Sequence, residues 1–318
     1  MNLRNIRLCI FKSLVVVVFF TFVGTAHATK YIDVSAESVS CGTTYTAGTR
    51  TIDGTSMSSS SPPDVLANTD IKCSPLTAPG GTHYIEWDVP TVITGSDPHG
   101  IGPDWTPAAA PISLVPGTTY YLASYWRFER IGGQALWDDF NFDFDKLIEM
   151  DGTNFRWIIL AGWNGDMTGA ANRFTFSLYG SDAVNPSQCG EPGNWHYYSH
   201  RISPYSPSSP LYSDYEQWIP VVMGITANSG ATPGHLYLWV NGTMVIDKSC
   251  VNTTEGAANI GVVKMSGTVG QPGYNTPHHK RQMDKLMLTN DWNDIVTGGY
   301  VSGGDTTPPA APTGLGVV

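Results

Sequence analysis

The segment 121–130, YLASYWRFER, decides the fold because its residue types alternate with a period of two. Tyr121, Tyr125, Arg127 and Glu129 fall on one face, and Leu122, Trp126 and Phe128 on the other. That period belongs to a β-strand with one apolar and one chemically rich face. The pattern recurs in 173–180, where Arg173, Thr175, Ser177 and Tyr179 oppose Phe174, Phe176 and Leu178. In 235–240, His235, Tyr237 and Trp239 oppose Leu236, Leu238 and Val240. If these strands share a sheet, their rich faces combine into an open surface of rings, cations and hydrogen-bonding groups, which suits a sugar polymer. A plain solvated sheet also alternates in this way. The density of Trp and Tyr where cheaper polar residues would serve favours a binding surface.

Further strand signals lie at HYIEWDV, FRWIILAGW, WHYYSHRI, WIPVVMGIT, NIGVVKM and RQMDKLMLT, punctuated by Gly, Pro, Asn and Ser. Asn241-Gly242 inside HLYLWVNGTMVI is the dipeptide of a tight hairpin. FDKLIEM is the best candidate for a turn or two of helix. The count and spacing predict an all-β, two-sheet antiparallel jelly-roll sandwich.

Residues 1–28 read as a secretory signal peptide. Arg4, Arg7 and Lys12 precede the apolar run SLVVVVFFTFVG, which ends at Ala26-His27-Ala28. The run is short for a membrane span, so export without a membrane anchor is expected. Residues 29–300 then form one domain of about 270 residues, long enough for a large sandwich. Residues 301–318 are a Pro/Gly-rich tail resembling the linker that opens fibronectin type III modules. Four cysteines remain after the signal, Cys41, Cys73, Cys189 and Cys250. An even count in an exported chain favours disulfides. Proximity suggests Cys41 with Cys73 and Cys189 with Cys250, although three connectivities exist. The formal charge of −10 with 14% charged residues is the wrong sign for nucleic-acid binding.

The YYLASYWRFER strand, the FDKLIEM-to-FRWIIL pair, GHLYLWVNGTMVID and the closing KMSGTVGQPGYNTPHHKRQMDKLMLT together resemble the concanavalin A-like lectin/glucanase superfamily, particularly its polysaccharide-lyase-like members. The resemblance spans roughly residues 84–290. It implies jelly-roll sheets whose concave face holds oligosaccharide, with a final strand bearing an aspartate, here Asp284. In alginate and glucuronan lyases of this fold an Arg-rich strand, a Gln-x-His strand and a Tyr-bearing strand line the cleft. Arg127 and Glu129 resemble the first, and Lys264 with Tyr274 the third. The chain holds no Gln-Ile-His or Gln-Val-His tripeptide and no E-x-D-x-E strand of the retaining glucanases.

Eliminative cleavage of a uronan needs a cation or amide for the substrate carboxylate, a base for the C5 proton and an acid for the leaving oxygen. The catalytic candidates are Arg127, Lys264, Tyr274 and His278. The substrate-binding candidates are Tyr125, Glu129, Arg173, Tyr179, His235, Tyr237, Trp239 and Arg281. His278, His279, Lys280 and Arg281 beside Tyr274 form a basic patch in an acidic chain, which suits an anionic polysaccharide. Of Trp163, Trp195, Trp218 and Trp239, the last shares its face with His235 and Tyr237 and is the favoured stacking ring. Asp138, Asp139, Asp143 and Asp145 suit a structural calcium, with a solvated acidic loop as the competing reading; no other cofactor is called for. The expectation is an exported protein, extracellular or periplasmic, that binds an acidic polysaccharide, with eliminative cleavage of it left open. The alternative is a non-catalytic carbohydrate-binding or adhesion module of the same fold.

Overall fold

The computed structural model describes residues 28–42, 44–45, 50–58, 69–89, 104–108, 110–130, 145–153, 155–163, 174–180, 196–198, 217–229, 233–254, 259–264 and 279–301. The signal segment, Asp138, Asp139, Asp143, Arg173, Cys189, Tyr274, His278 and the tail beyond Val301 lie outside the described residues.

Along the chain the strands are β1 Lys30–Val34, β2 Thr44–Tyr45, β3 Arg50–Ile52, β4 Thr55–Ser58, β5 Thr69–Ala78, β6 Gly81–Val89, β7 Asp104–Thr106, β8 Ile112–Ser113 and β9 Thr119–Arg130. They continue as β10 Asp145–Gly152, β11 Arg156–Trp163, β12 Phe174–Gly180, β13 His196–Tyr198, β14 Ile219–Thr226, β15 Gly234–Val240, β16 Thr243–Val251, β17 Asn259–Lys264 and β18 His279–Thr289. One helix, α1 Trp292–Thr297, follows.

The strands form two antiparallel sheets. The front sheet runs β16-β15-β14-β9-β18-β6-β5-β2, with β1 added beside β18. The back sheet runs β13-β12-β11-β10-β17-β7-β4-β3, with β8 added beside β17. The protein is thus an all-β, jelly-roll-type sandwich. Apolar residues at alternate positions of both sheets meet between them. Leu122, Trp126 and Phe128 of β9, Val221 and Met223 of β14, and Leu236 and Leu238 of β15 face Met150 of β10, Trp157 of β11, Phe176 and Leu178 of β12, and Val263 of β17. The Asn241-Gly242 hairpin takes φ of 50° and 73°, the positive pair that matches the twist of β15 and β16.

FDKLIEM is not helical: its described part is β10, paired with β11 and β17. The helical look has a cause. A register shift between Lys146 and Ile148 lets Leu147 and Ile148 both be fully buried, with Met150 behind them, so the apolar spacing departs from two.

A second apolar cluster lies on the outer side of the front sheet. Tyr121, Ala123, Tyr125, Val222, Tyr237, Trp239 and Met287 are covered there by Trp292 and Ile295 of α1 and by Tyr300 and Val301. Trp292 lies 5.2 Å from Tyr121 and 5.0 Å from Trp239, ring centre to ring centre. Asp291 caps α1 by accepting a hydrogen bond from the Asn293 backbone N–H at 2.9 Å. Trp292→Ala should therefore cost about 3 kcal/mol, by loss of burial plus the cavity left behind. Urea unfolding checks this, and an unchanged midpoint would show that the helix does not brace the sheet.

Candidate functional site

Beyond the edge of the covered cluster, the outer side of the front sheet turns polar. Cross-strand pairing sets Glu86 of β6 beside Gln282 of β18, and Gln282 beside Arg127 of β9. Directly opposed residues project to the same side of a sheet, so the three side chains form a row. Arg127 Nη1 donates to Gln282 Oε1 at 2.5 Å and to Glu129 Oε2 at 3.0 Å. Gln282 Nε2 donates to Glu86 Oε2 at 2.6 Å and to Glu129 Oε2 at 3.0 Å. Lys280 Nζ lies 3.3 Å from Glu86 Oε1. One amide therefore ties together two carboxylates and a guanidinium.

Two rings border this strip. Tyr84 and Trp218 meet edge to face, with centres 5.6 Å apart and planes at 65°. The Tyr84 phenol is raised above its ordinary value by burial and by the nearby Glu86 and Glu129, against the opposing charges of Arg127 and Lys280. It stays protonated at neutral pH and serves as a hydrogen-bonding group rather than a base.

The candidates from the sequence that are described divide among five environments. Arg127 and Glu129 sit in the strip. Tyr125, Tyr237 and Trp239 are buried, with 8%, 2% and 1% exposure, beneath α1 and Tyr300, so they form a second core instead of an open ring face. Gly224 permits this layering: a Cβ there would come within 3.1 Å of Tyr237 and 3.3 Å of Trp239. His235 lies at the rim, stacked on Tyr237 at 4.1 Å with planes 6° apart and paired with Asp247. Arg281 is fully buried, and it projects to the side of β18 that Met283 occupies, between the sheets. It contributes nothing to an exposed basic patch.

Lys264 and Tyr179 lie on the other sheet. On β17 Val263 lies in the core, and the register sets Lys264 opposite Glu149 on one side and Asp104 on the other. Glu149 and Asp104 are buried. Asp151 and Arg156, one row along, pair at 3.6 Å. Tyr179 stands opposite Ile158 in the same sheet. Arg127 on β9 and Lys264 on β17 thus belong to strands of different sheets.

Glu86, Gln282, Lys280, Tyr84 and Trp218 complete the strip. Glu86 and Tyr84 lie two residues apart in HYIEWDV, the spacing of one strand face, and that is the sequence signal they carry. Among the described residues no group of three or more His, Cys, Asp or Glu is placed to hold a metal ion. Asp145 opens β10; the other three aspartates of the calcium expectation lie outside the described residues.

No family model and no curated protein matches the sequence. Solved structures with a similar fold include an endo-β-1,4-glucuronan lyase from the fungus Trichoderma reesei, at 12% identity and TM-score 0.42 over 84% of this chain and 98% of that one. An alginate lyase from Chlorella virus, vAL-1, has 11% identity and TM-score 0.41 over 69% of this chain and 88% of that one. A botulinum neurotoxin type C structure, described with cell entry through two ganglioside molecules, has 10% identity and TM-score 0.44. It is covered over 52% of its length by 86% of this chain, so the chain spans about half of it.

Asp284 lies just past the strip on β18. Its carboxylate accepts the backbone N–H groups of Gly80 at 2.5 Å and Lys285 at 2.7 Å. Burial nevertheless pushes its pKa from 3.8 up to about 6, the two backbone bonds and the Lys285 charge opposing and the Glu37 charge assisting. The unfolded chain releases this proton near pH 4 and the folded chain only near 6, so this group's contribution to stability falls as pH rises between them. Asp284→Asn should remove that fall. Its urea midpoint should gain on the wild type from pH 4 to pH 7, whereas parallel curves would rule the linkage out.

Proposed function

We propose that the chain is an exported carbohydrate-binding protein, and that the strip around Gln282 takes a polysaccharide. The observation carrying this reading is the amide-bridged network of Glu86, Gln282, Arg127 and Glu129 beside the Tyr84–Trp218 ring pair. A sugar hydroxyl both donates and accepts, so it pairs best with a surface where fixed donors and acceptors alternate. The apolar C–H face of a pyranose packs against a ring. Both elements lie side by side here, all on strands except Trp218, which immediately precedes β14.

The charge balance bears on the class of sugar. Arg127 and Lys280 are countered by Glu129 and Glu86, so these four groups sum to zero. An acidic polymer therefore binds by carboxylate exchange, its uronate displacing Glu129 from Arg127, and that is the ligand we favour. For cleavage, the strip's residues supply hydrogen bonds and charge but no group set to take a C5 proton: the carboxylates are ion-paired and the Tyr84 phenol is held protonated. Binding is accordingly the favoured activity. Export is supported by the basic, apolar and small-residue succession within residues 1–28.

Affinity electrophoresis of the full mature chain in gels containing uronic-acid or neutral polysaccharides tests this directly. Arg127→Ala should weaken binding of a uronan about tenfold or more, the scale of a lost charge-assisted hydrogen bond. Glu129→Gln should strengthen it, because the competing carboxylate is gone, and should leave binding of a neutral polymer without gain. Failure to bind any polymer, or Arg127→Ala binding as the wild type does, would overturn the reading. A rise in absorbance near 235 nm with any uronan would replace it with eliminative cleavage.

A further inference from the structure

At the end of β18 far from the sugar strip, the residue ahead of β1 is held by the segment that leads into α1. The Thr29 backbone N–H donates to Asn290 Oδ1 at 2.7 Å. The Thr29 carbonyl accepts the Asn290 backbone N–H at 3.3 Å and lies 3.1 Å from the Thr289 hydroxyl. Asn290 thus grips both backbone polar groups of one residue. Its other amide atom, Nδ2, lies 3.5 Å from the Tyr31 hydroxyl, which leaves the amide oxygen turned to Thr29. The next residue is tied as well: Lys30 stands opposite Thr289, and its Nζ lies 3.5 Å from Asp294 Oδ1 and 3.3 Å from Asp33 Oδ2.

The change from free to held chain is abrupt. Ala28 is exposed, Thr29 is half-buried, and Ile32 and Val34 of β1 already belong to the core. The sequence ahead of this point is Gly24-Thr25-Ala26-His27-Ala28. A leader peptidase needs small residues at the first and third positions before its cut. Ala28 with Ala26 meets that need, and so does Ala26 with Gly24, so the sequence alone permits either cut. The fold separates them. A cut after Ala28 puts the new amine on the one nitrogen that Asn290 holds, whereas a cut after Ala26 leaves two residues ahead of it.

We propose that the chain is processed between Ala28 and Thr29, and that Asn290 is the receptor for the α-ammonium this creates, closing the mature N-terminus against exopeptidases. The inference rests on the export reading. In the cut, the oxygen of water bonds to the Ala28 carbonyl carbon, the C–N bond breaks, and the Thr29 nitrogen takes up the proton. At neutral pH the products are a carboxylate on Ala28 and an ammonium on Thr29. The cut precedes folding, because in the folded chain the Thr29 peptide lies against the end of β18. An ammonium only donates and the amide oxygen accepts, so the pairing survives the cut and becomes charge-assisted. Asp291 follows Asn290 in the chain, and Asp294 lies 2.7 Å from the Thr289 hydroxyl, so the surroundings favour a cation. An aminopeptidase must take hold of the terminal amine and the first carbonyl together. Those are the two groups that Asn290 occupies.

The test begins with the full chain expressed in a host that has a general secretory pathway, and with N-terminal sequencing of the exported protein, which should start at Thr29. Two mature chains, one starting at Thr29 and one at Ala28, are then compared by urea unfolding and by digestion with a broad-specificity aminopeptidase. The Thr29 chain should have the higher midpoint and resist trimming, and the Ala28 chain should lose its alanine and stop there. Asn290→Ala should erase the difference in midpoint and let trimming pass Thr29 about tenfold faster, the scale of a lost charged hydrogen bond. Asn290→Asp, which keeps the acceptor and adds a charge, should widen the difference. A merely structural role for Asn290 would lower both chains equally and leave their difference intact. The proposal is overturned if the exported protein starts at another residue, if the two chains share one midpoint, or if their difference survives Asn290→Ala. A chain kept uncut inside the cell would overturn the export reading as well, whereas one exported but cut elsewhere overturns this inference alone.

Discussion

The register of β18 sets nearly every functional feature of the front sheet. This strand lies between β9 and β6, and its pairing carries a shift between Asp284 and Met287. Lys285 takes φ of 49° within that shift. A bulge inserts a residue without a partner and reverses which side chains face inward. Before it, Arg281 and Met283 point into the sandwich; after it, Leu286 and Leu288 do. Without that reversal Gln282 would lie in the core and Arg281 outside. The bulge therefore places Lys280 and Gln282 between Glu86 and the Arg127–Glu129 pair.

That geometry explains what the sequence disclosed and what it concealed. The alternation in 121–130 located β9 and both its faces, because nothing interrupts its period of two. The same rule applied backward from Leu286 and Leu288 gives the wrong face for Arg281, since the residue that breaks the period is an ordinary lysine and not a glycine. β10 was hidden by the same device, a register shift that buries two consecutive residues. In the sequence Gln282 is a lone amide beside charged neighbours. Its role depends on Glu86, nearly two hundred positions earlier in the chain, and only the pairing of β6 with β18 brings them together.

The covered rings have a different origin. Tyr121, Tyr125, Tyr237 and Trp239 alternate as an exposed aromatic face would, and the sheet alone would leave them in water. The short helix α1 and Tyr300 turn that face into a second core. Their hold is partly polar: the Tyr125 hydroxyl donates to the Gly298 carbonyl at 3.3 Å, Lys285 Nζ donates to the same carbonyl at 3.1 Å, and the Tyr300 hydroxyl donates to the Lys285 carbonyl. The bulge that selects the strip thus also supplies the contacts that fasten the segment over the rings. Period-two patterns report which residues share a face. They carry no information on whether a later segment will cover it.

The internal pairing of the strip has consequences for recognition. A guanidinium left alone on a sheet would be mobile and strongly hydrated, and ordering it on binding would cost entropy. Tied to Gln282 and Glu129, Arg127 is ordered before a ligand arrives, with its side chain only 11% exposed. A ligand group that replaces Glu129 inherits a cation already in place, and the freed carboxylate, more exposed at 35%, can return to water. The buried partner, Glu86 at 6%, has no such freedom and stays anchored to Gln282 and Lys280. An incoming carboxylate would therefore meet a network with a direction: the Glu129 end is the one free to exchange, and the Glu86 end holds the amide that orients it.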